Sequence, residues 1–166
     1  NVPALLRQCE AAHALLTPVL RWTPRDKTWV LHTDALDTHN GMATVYPRNL
    51  MVIYAAAAPP VSTIYEPGRH QWRTVLHEYA HVLTMDQQYG PSRVLTAIFG
   101  RALPIGDPLS TLLAYGAAPA GALAPVWYQE GMAIWAETEF STSGRGRDTL
   151  ADMILRMPAA DGNSLS

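Results

Sequence analysis

Apolar residues recur at a helical period over residues 3–20, where Leu5, Leu6, Ala12, Leu15, Leu16 and Val19 form one broad stripe, and the Trp22-Thr23-Pro24-Arg25-Asp26 turn ends it. The period then shortens. Residues 28–33 read as a strand, residues 34–41 as a polar loop closed by the Asn40-Gly41 turn signal, and residues 42–46 and 49–55 as two more strands. The last is a largely apolar run, the pattern of a strand covered on both faces. Pro59-Pro60 and Glu66-Pro67-Gly68 punctuate the way into a second helix over residues 72–85, with Leu76, Ala80 and Leu83 as its apolar stripe. Helical patterns follow at 91–102 and 109–115. Pro125 suits the first turn of another helix running to about Phe140, with Trp127, Ile134 and Trp135 to pack it. A loop over 141–147 leads into a last helix at 148–157. A small sheet followed by helices is an α+β arrangement, and no internal repeat is present.

Composition narrows the picture. A chain of 166 residues with 48% hydrophobic content supports one domain with a core of its own. A formal charge of -2 without a dense Lys/Arg run argues against nucleic acid as a partner. The single cysteine, Cys9, excludes an internal disulfide and a cysteine-based metal site, and reads as a small buried residue of the first helix. No charge occurs from Leu109 to Gln129, but Gly116, Pro119, Gly121 and Pro125 make this a poor spanning helix, so it reads as an excursion folded back on the domain and not as a membrane span. The chain begins at Asn1 and closes on a polar tail, so it reads as a piece of something longer, and it carries no visible signal peptide.

The chemistry concentrates in His77-Glu78-Tyr79-Ala80-His81, an H-E-x-x-H segment inside a predicted helix. With six histidines in the chain, an accidental match arises on the order of one time in a hundred. Residues four apart share a helix face, so both imidazoles can converge on one metal ion. Glu78 points about 100° around the helix, where it reaches a water on the metal without ligating it. That is a zinc hydrolase's arrangement and it calls for a third ligand. Glu130, after the Gly/Ala/Pro stretch at 120–125, sits where the following helix aims a carboxylate, with Gly131 leaving room beside it, and 48 intervening residues allow that helix to cross the first.

The pair H-E-x-x-H and Trp127-x-x-Glu130-Gly131-x-Ala133 resembles the gluzincin metallopeptidases, in which two histidines and a glutamate from a later helix bind zinc. More narrowly, Asn40-Gly41-Met42-Ala43, the strand at 49–54, Phe99-Gly100-Arg101, Gly144-Arg145-Gly146-Arg147 and Asp152-Met153-Ile154-Leu155-Arg156, in this order around the two motifs, resemble bacterial peptidase-MA-like domains. The likeness runs from about Trp29 to the end. It implies a zincin-like fold in which an edge strand, here the region 41–54, precedes the metal helix and pairs with substrate; an ordinary hairpin is the competing reading of that region. It implies one Zn2+ held by His77, His81 and Glu130, Glu78 as general base, a peptide or protein substrate, export from the cell, and a neighbouring domain such as a β-propeller. The alternative function is a catalytically silent zinc-containing binding or scaffold module of the same fold.

Two functional residues stay open at this stage. Many gluzincins add a tyrosine or histidine from beyond the third ligand to stabilise the oxyanion, yet the last tyrosine here is Tyr128 and the last histidine is His81. Tyr115, Arg145, Arg147 or a residue outside the chain must supply that donor. A carboxylate should also accept from the free ring nitrogen of a ligand histidine. Asp86, Glu137, Glu139, Asp148 and Asp152 are available, and Glu137, two helical turns past Glu130, leads. His13, His32, His39 and His70 have no partner at metal spacing and read as surface or satisfied core residues.

Overall fold

The computed structural model describes residues 2–35, 40–56, 70–101, 106–142, 144–147, 149 and 156. All but two residues of the helix expected over 148–157, and the proline-rich punctuation before the second helix, lie outside the described residues. Among those described, five helices accompany a three-stranded sheet: α1 (Val2–Leu20), β1 (Trp29–Thr33), β2 (Gly41–Thr44), β3 (Leu50–Tyr54), α2 (His70–Met85), α3 (Pro91–Phe99), α4 (Pro108–Ala117) and α5 (Val126–Glu139), with short 3-10 turns at Ala120–Leu123 and Arg145–Arg147. The α+β expectation holds.

The sheet is mixed, in the order β1-β3-β2. β1 runs parallel to β3, Trp29 opposite Leu50 through Thr33 opposite Tyr54, and β2 runs antiparallel to it, Gly41 opposite Ile53 through Thr44 opposite Leu50. Burial of Met51, Val52 and Ile53 explains the apolar run of β3, which is central. The region 41–54 therefore splits: a strand hydrogen-bonded on both sides has no edge to offer, and only β2 retains one.

α2 is the axis of the core. Its expected stripe of Leu76, Ala80 and Leu83 is fully buried, but so are most residues between, because α1, α5, β2, β3 and the Ala120–Leu123 turn all pack on it. Leu5, Ala12 and Leu16 of α1, Met51 and Ile53 of β3, and Ala133 and Ala136 of α5 complete the core. Here the expectation for α5 is corrected. Trp127 is 75% exposed and Trp135 39%, so alanines and not tryptophans face α2. Small side chains let two helix axes approach to the short end of the 8–10 Å range, which is what brings a carboxylate on one within reach of an imidazole on the other.

Two ties, one a hydrogen bond and one a close backbone approach, orient α5 antiparallel to α2. The Trp72 indole N–H at the start of α2 donates to the Phe140 carbonyl at 3.2 Å, past the end of α5. At the opposite end, a Cβ on Gly121 would lie 1.7 Å from the Thr84 carbonyl oxygen, so only glycine lets this turn close on the end of α2. Gln129 then donates to the Gly121 and Ala124 carbonyls at 3.2 and 3.0 Å, joining the turn to α5. The uncharged stretch is thus α4, a partly exposed turn and the start of α5, and no described helix is long and apolar enough to cross a membrane.

A polar knot closes the C-terminal end of α2. Asp86, 1% exposed, accepts from the Trp22 indole N–H at 2.8 Å and from Arg101, whose guanidinium also donates to the Asn49 side chain and the Val45 carbonyl. Burial pushes the Asp86 carboxyl above its ordinary pKa, against the opposing pull of these donors.

Candidate metal centre

His77 and His81 stand one turn apart on α2, and α5 carries Glu130 across them. The two Nε2 atoms are 3.1 Å apart, and the Glu130 carboxylate reaches His77 Nε2 at 3.5 Å and His81 Nε2 at 3.4 Å. Donors bound to one ion at about 2.0–2.1 Å in a tetrahedron stand about 3.3 Å from each other. These contacts, one to each Glu130 oxygen, are of that order, and the three side chains could hold a metal ion. Burial, with the neighbouring His77, holds the His81 pKa below its ordinary value, so its neutral, ligating form is favoured. His81 Nδ1 has no protein partner among the described residues. The Glu130 side chain is 46% exposed against 10% for each histidine, so the group opens to solvent on the α5 side.

Glu78 is 4% exposed and lies against β2. A Cβ on Gly41 would sit 2.5 Å from Glu78 Cγ and 2.7 Å from Oε1, so the absent side chain of this glycine is the space the carboxylate occupies. Burial pushes the Glu78 pKa up to about 7; His77 and Arg145 pull it down, while Glu130 and Glu137 push it further up. At neutral pH such a group both takes and gives a proton. With Asn40, Arg73, Thr74, His77, Glu137 and Arg145 it lines a cavity of about 40 Å3. That is room for a water molecule beside the carboxylate.

Behind the histidines, Glu137 is 2% exposed, with Oε2 at 3.3 Å from His77 Nδ1. Burial alone would raise its pKa, but hydrogen bonds with His77 and Arg145 outweigh it and hold the carboxyl down at about 2. Arg145 donates to Glu137 Oε1 from Nε at 2.8 Å and from its backbone N–H at 2.9 Å. Its Nη2 lies 2.8 Å from His77 Nδ1. A guanidinium only donates, so while Nδ1 accepts from it the ring proton sits on Nε2. A cation on Nε2 would reverse this: Nδ1 would carry the proton, with Glu137 Oε2 placed to accept it at 3.3 Å and Arg145 still bonded to Glu137. Glycines place that arginine. A Cβ on Gly144 would stand 2.2 Å from Thr138 Cα, and the Gly146 N–H donates to Thr138 Oγ1 at 3.0 Å, clamping the turn on the end of α5.

The open candidates now separate. Arg145 reaches His77, whereas Arg147 donates to the Thr138 carbonyl at 2.8 Å and Tyr115 is 64% exposed on α4, which packs against α3. Of the acidic residues, Glu137 meets His77 and Asp86 belongs to the knot at the far end of α2; Asp148 and Asp152 are outside the described residues. Cys9 is half-buried against the core, its thiol pushed up to about 11 by burial and the nearby Glu10. His13 is satisfied by the Tyr79 hydroxyl at 2.5 Å. Gly41 and the Arg145–Glu137 pairing escaped sequence reasoning. An N-G pair signals a turn whether or not a carboxylate lies on it, and two arginines in a G-R-G-R turn are equivalent until the turn is docked.

Fold and site together define an α+β domain with a candidate metal centre on its most buried helix. Comparison with known protein families, curated proteins and solved structures gives no match.

Proposed function

We propose that this chain is a zinc-dependent peptidase domain of gluzincin type, with His77, His81 and Glu130 holding the metal and Glu78 as general base. The observation that carries the reading is the convergence of His77 Nε2 and His81 Nε2, 3.1 Å apart, with the Glu130 carboxylate, one oxygen 3.5 Å from the first and the other 3.4 Å from the second, beside a buried carboxylate whose pKa is about 7. Two imidazoles and one carboxylate are a donor set suited to zinc, and three protein ligands leave a fourth position open. Zinc, when bound there, lowers the pKa of water and polarises a carbonyl. Glu78 takes the proton of the attacking water and passes it to the leaving amine. Glu137 holds His77 in the tautomer that presents Nε2. Of the candidate oxyanion donors, Arg145 is the one in contact with a ligand histidine, and from its place on Glu137 and His77 Nδ1 it supports the orientation of that ring. The free edge of β2, next to Glu78, takes the substrate backbone in extended form.

The test pairs two variants with metal analysis. The unmodified domain should carry about one zinc per chain and Glu130→Ala should lose it. Glu78→Gln should keep the zinc and lose peptide cleavage. No zinc uptake at neutral pH overturns the whole reading; cleavage that persists in Glu78→Gln overturns the assignment of the base. Zinc uptake without any cleavage supports the silent binding module instead.

A further inference from the structure

A second cavity, about 520 Å3, opens beside the knot at the C-terminal end of α2 and shares no lining residue with the one next to Glu78. Its size falls within the range of small-molecule sites. Arg25, Asp26, Asp86, Gln88, Arg93 and Arg101 carry the polar groups of its wall. Two of these cancel. Asp86 and Arg101 pair with each other, and Asp86 also accepts from the Trp22 indole, so this part of the wall is closed and neutral. What remains is Arg25 and Arg93 against Asp26, whose carboxylate is 4.0 Å from Arg101. Neither Arg25 nor Arg93 has a carboxylate within ion-pair distance among the described residues.

The inner wall points the same way. Gln88 is 8% exposed, and its side-chain Nε2 has no protein partner. A buried amide donor left unpaired is costly, and its residue lines the cavity. Donors therefore outnumber acceptors from the inner wall to the rim. A molecule that complements them brings negatively charged acceptor oxygens, and the planar fork of arginine suits carboxylate and phosphate alike.

We propose that this cavity is a binding site for a small anionic molecule, held through a carboxylate or phosphate group by Gln88 Nε2 within and by Arg93 and Arg25 at the rim. The site does not depend on the metal centre or on the proposed peptidase activity. Both arginines are exposed, so their removal leaves the core intact.

The experiment titrates inorganic phosphate and, separately, acetate into the 15N-labelled chain at constant ionic strength. It reads the Gln88 side-chain amide resonance, assigned by its loss in Gln88→Met. Saturable movement of that resonance by about 20 mM ligand is expected, with Kd raised about tenfold in Arg93→Gln and saturation lost in Arg25→Gln/Arg93→Gln. The tighter of the two anions identifies the group recognised. An unmoved resonance with both anions overturns the proposal, and so does the same Kd in the double variant, which would mark charge screening without a site.

Discussion

Gly41→Ala is the most searching perturbation of the site, because Gly41 is neither a ligand nor an acid, and yet its missing side chain is where Glu78 lies. The new Cβ would stand 2.5 Å from Glu78 Cγ and 2.8 Å from Cδ. Non-bonded carbons rest at about 3.5–4.0 Å, so the carboxylate must retreat by about 1 Å. The three atoms nearest the new methyl all belong to Glu78 and none to a ligand residue. Misplacing a catalytic group by about 1 Å costs about 10²-fold in rate, or about 2.7 kcal/mol of transition-state stabilisation. The expected result is one zinc per chain, as in the parent, with kcat for a quenched fluorescent peptide mixture about a hundredfold lower. Met42→Ala is the control for general weakening of β2, since Met42 is 50% exposed, and it should keep kcat near the parent value, any change falling on KM through the substrate strand. A Gly41→Ala protein with full zinc and a kcat within about threefold of the parent would refute the placement of Glu78 as base.

Glu137→Gln should weaken zinc binding about 10–100-fold in a chelator competition, because it removes the acceptor that fixes the His77 tautomer and leaves Arg145 uncompensated beside that ring; equal affinity would remove Glu137 from the centre. The same carboxyl sets an acid limit on the metal-free protein. Its folded pKa of about 2 lies below the ordinary 4.5, so it contributes stability above pH 4.5 that is lost as the pH falls toward 2, worth about 3 kcal/mol. Urea unfolding from pH 6 downward should show the parent losing that much more than Glu137→Gln, and parallel curves would refute the linkage. Gly121→Ala drives a methyl into the Thr84 carbonyl, 1.7 Å from where it would stand, and should lower the melting temperature by about 5–10 °C through overpacking of about 1–3 kcal/mol; an unchanged melting temperature would mean that the turn does not close on α2.

Much of this protein is written in local pattern. The helical period of residues 3–20, the apolar run of β3 and the four-residue spacing of His77 and His81 are properties of neighbouring residues, and each became the expected element. Where α5 was concerned, reading the largest apolar residues as the packing face failed. Trp127 and Trp135 are bulky enough to hold two helices apart, and the chain uses Ala133 and Ala136 to bring them together. Burial of α2 on nearly every side was equally out of reach, because an amphipathic stripe reports one covered face and says nothing of the elements that arrive from elsewhere in the chain.

By itself, the sequence determined that two imidazoles share a helix face with a carboxylate beside them, and that a second helix bears another carboxylate with 48 residues between it and His81. Spacing along a helix is a covalent and hydrogen-bonded repeat, so it needs no tertiary information. Tertiary packing decided the rest: that Glu130 closes to within 3.5 Å of both histidines, that β2 and not β3 offers an edge, that Arg145 and not Arg147 meets His77, and that Glu78 is desolvated against Gly41. Each of these depends on distances between segments far apart in the chain, and those distances follow from which small side chains let backbones approach and which charges are forced out of water when they do.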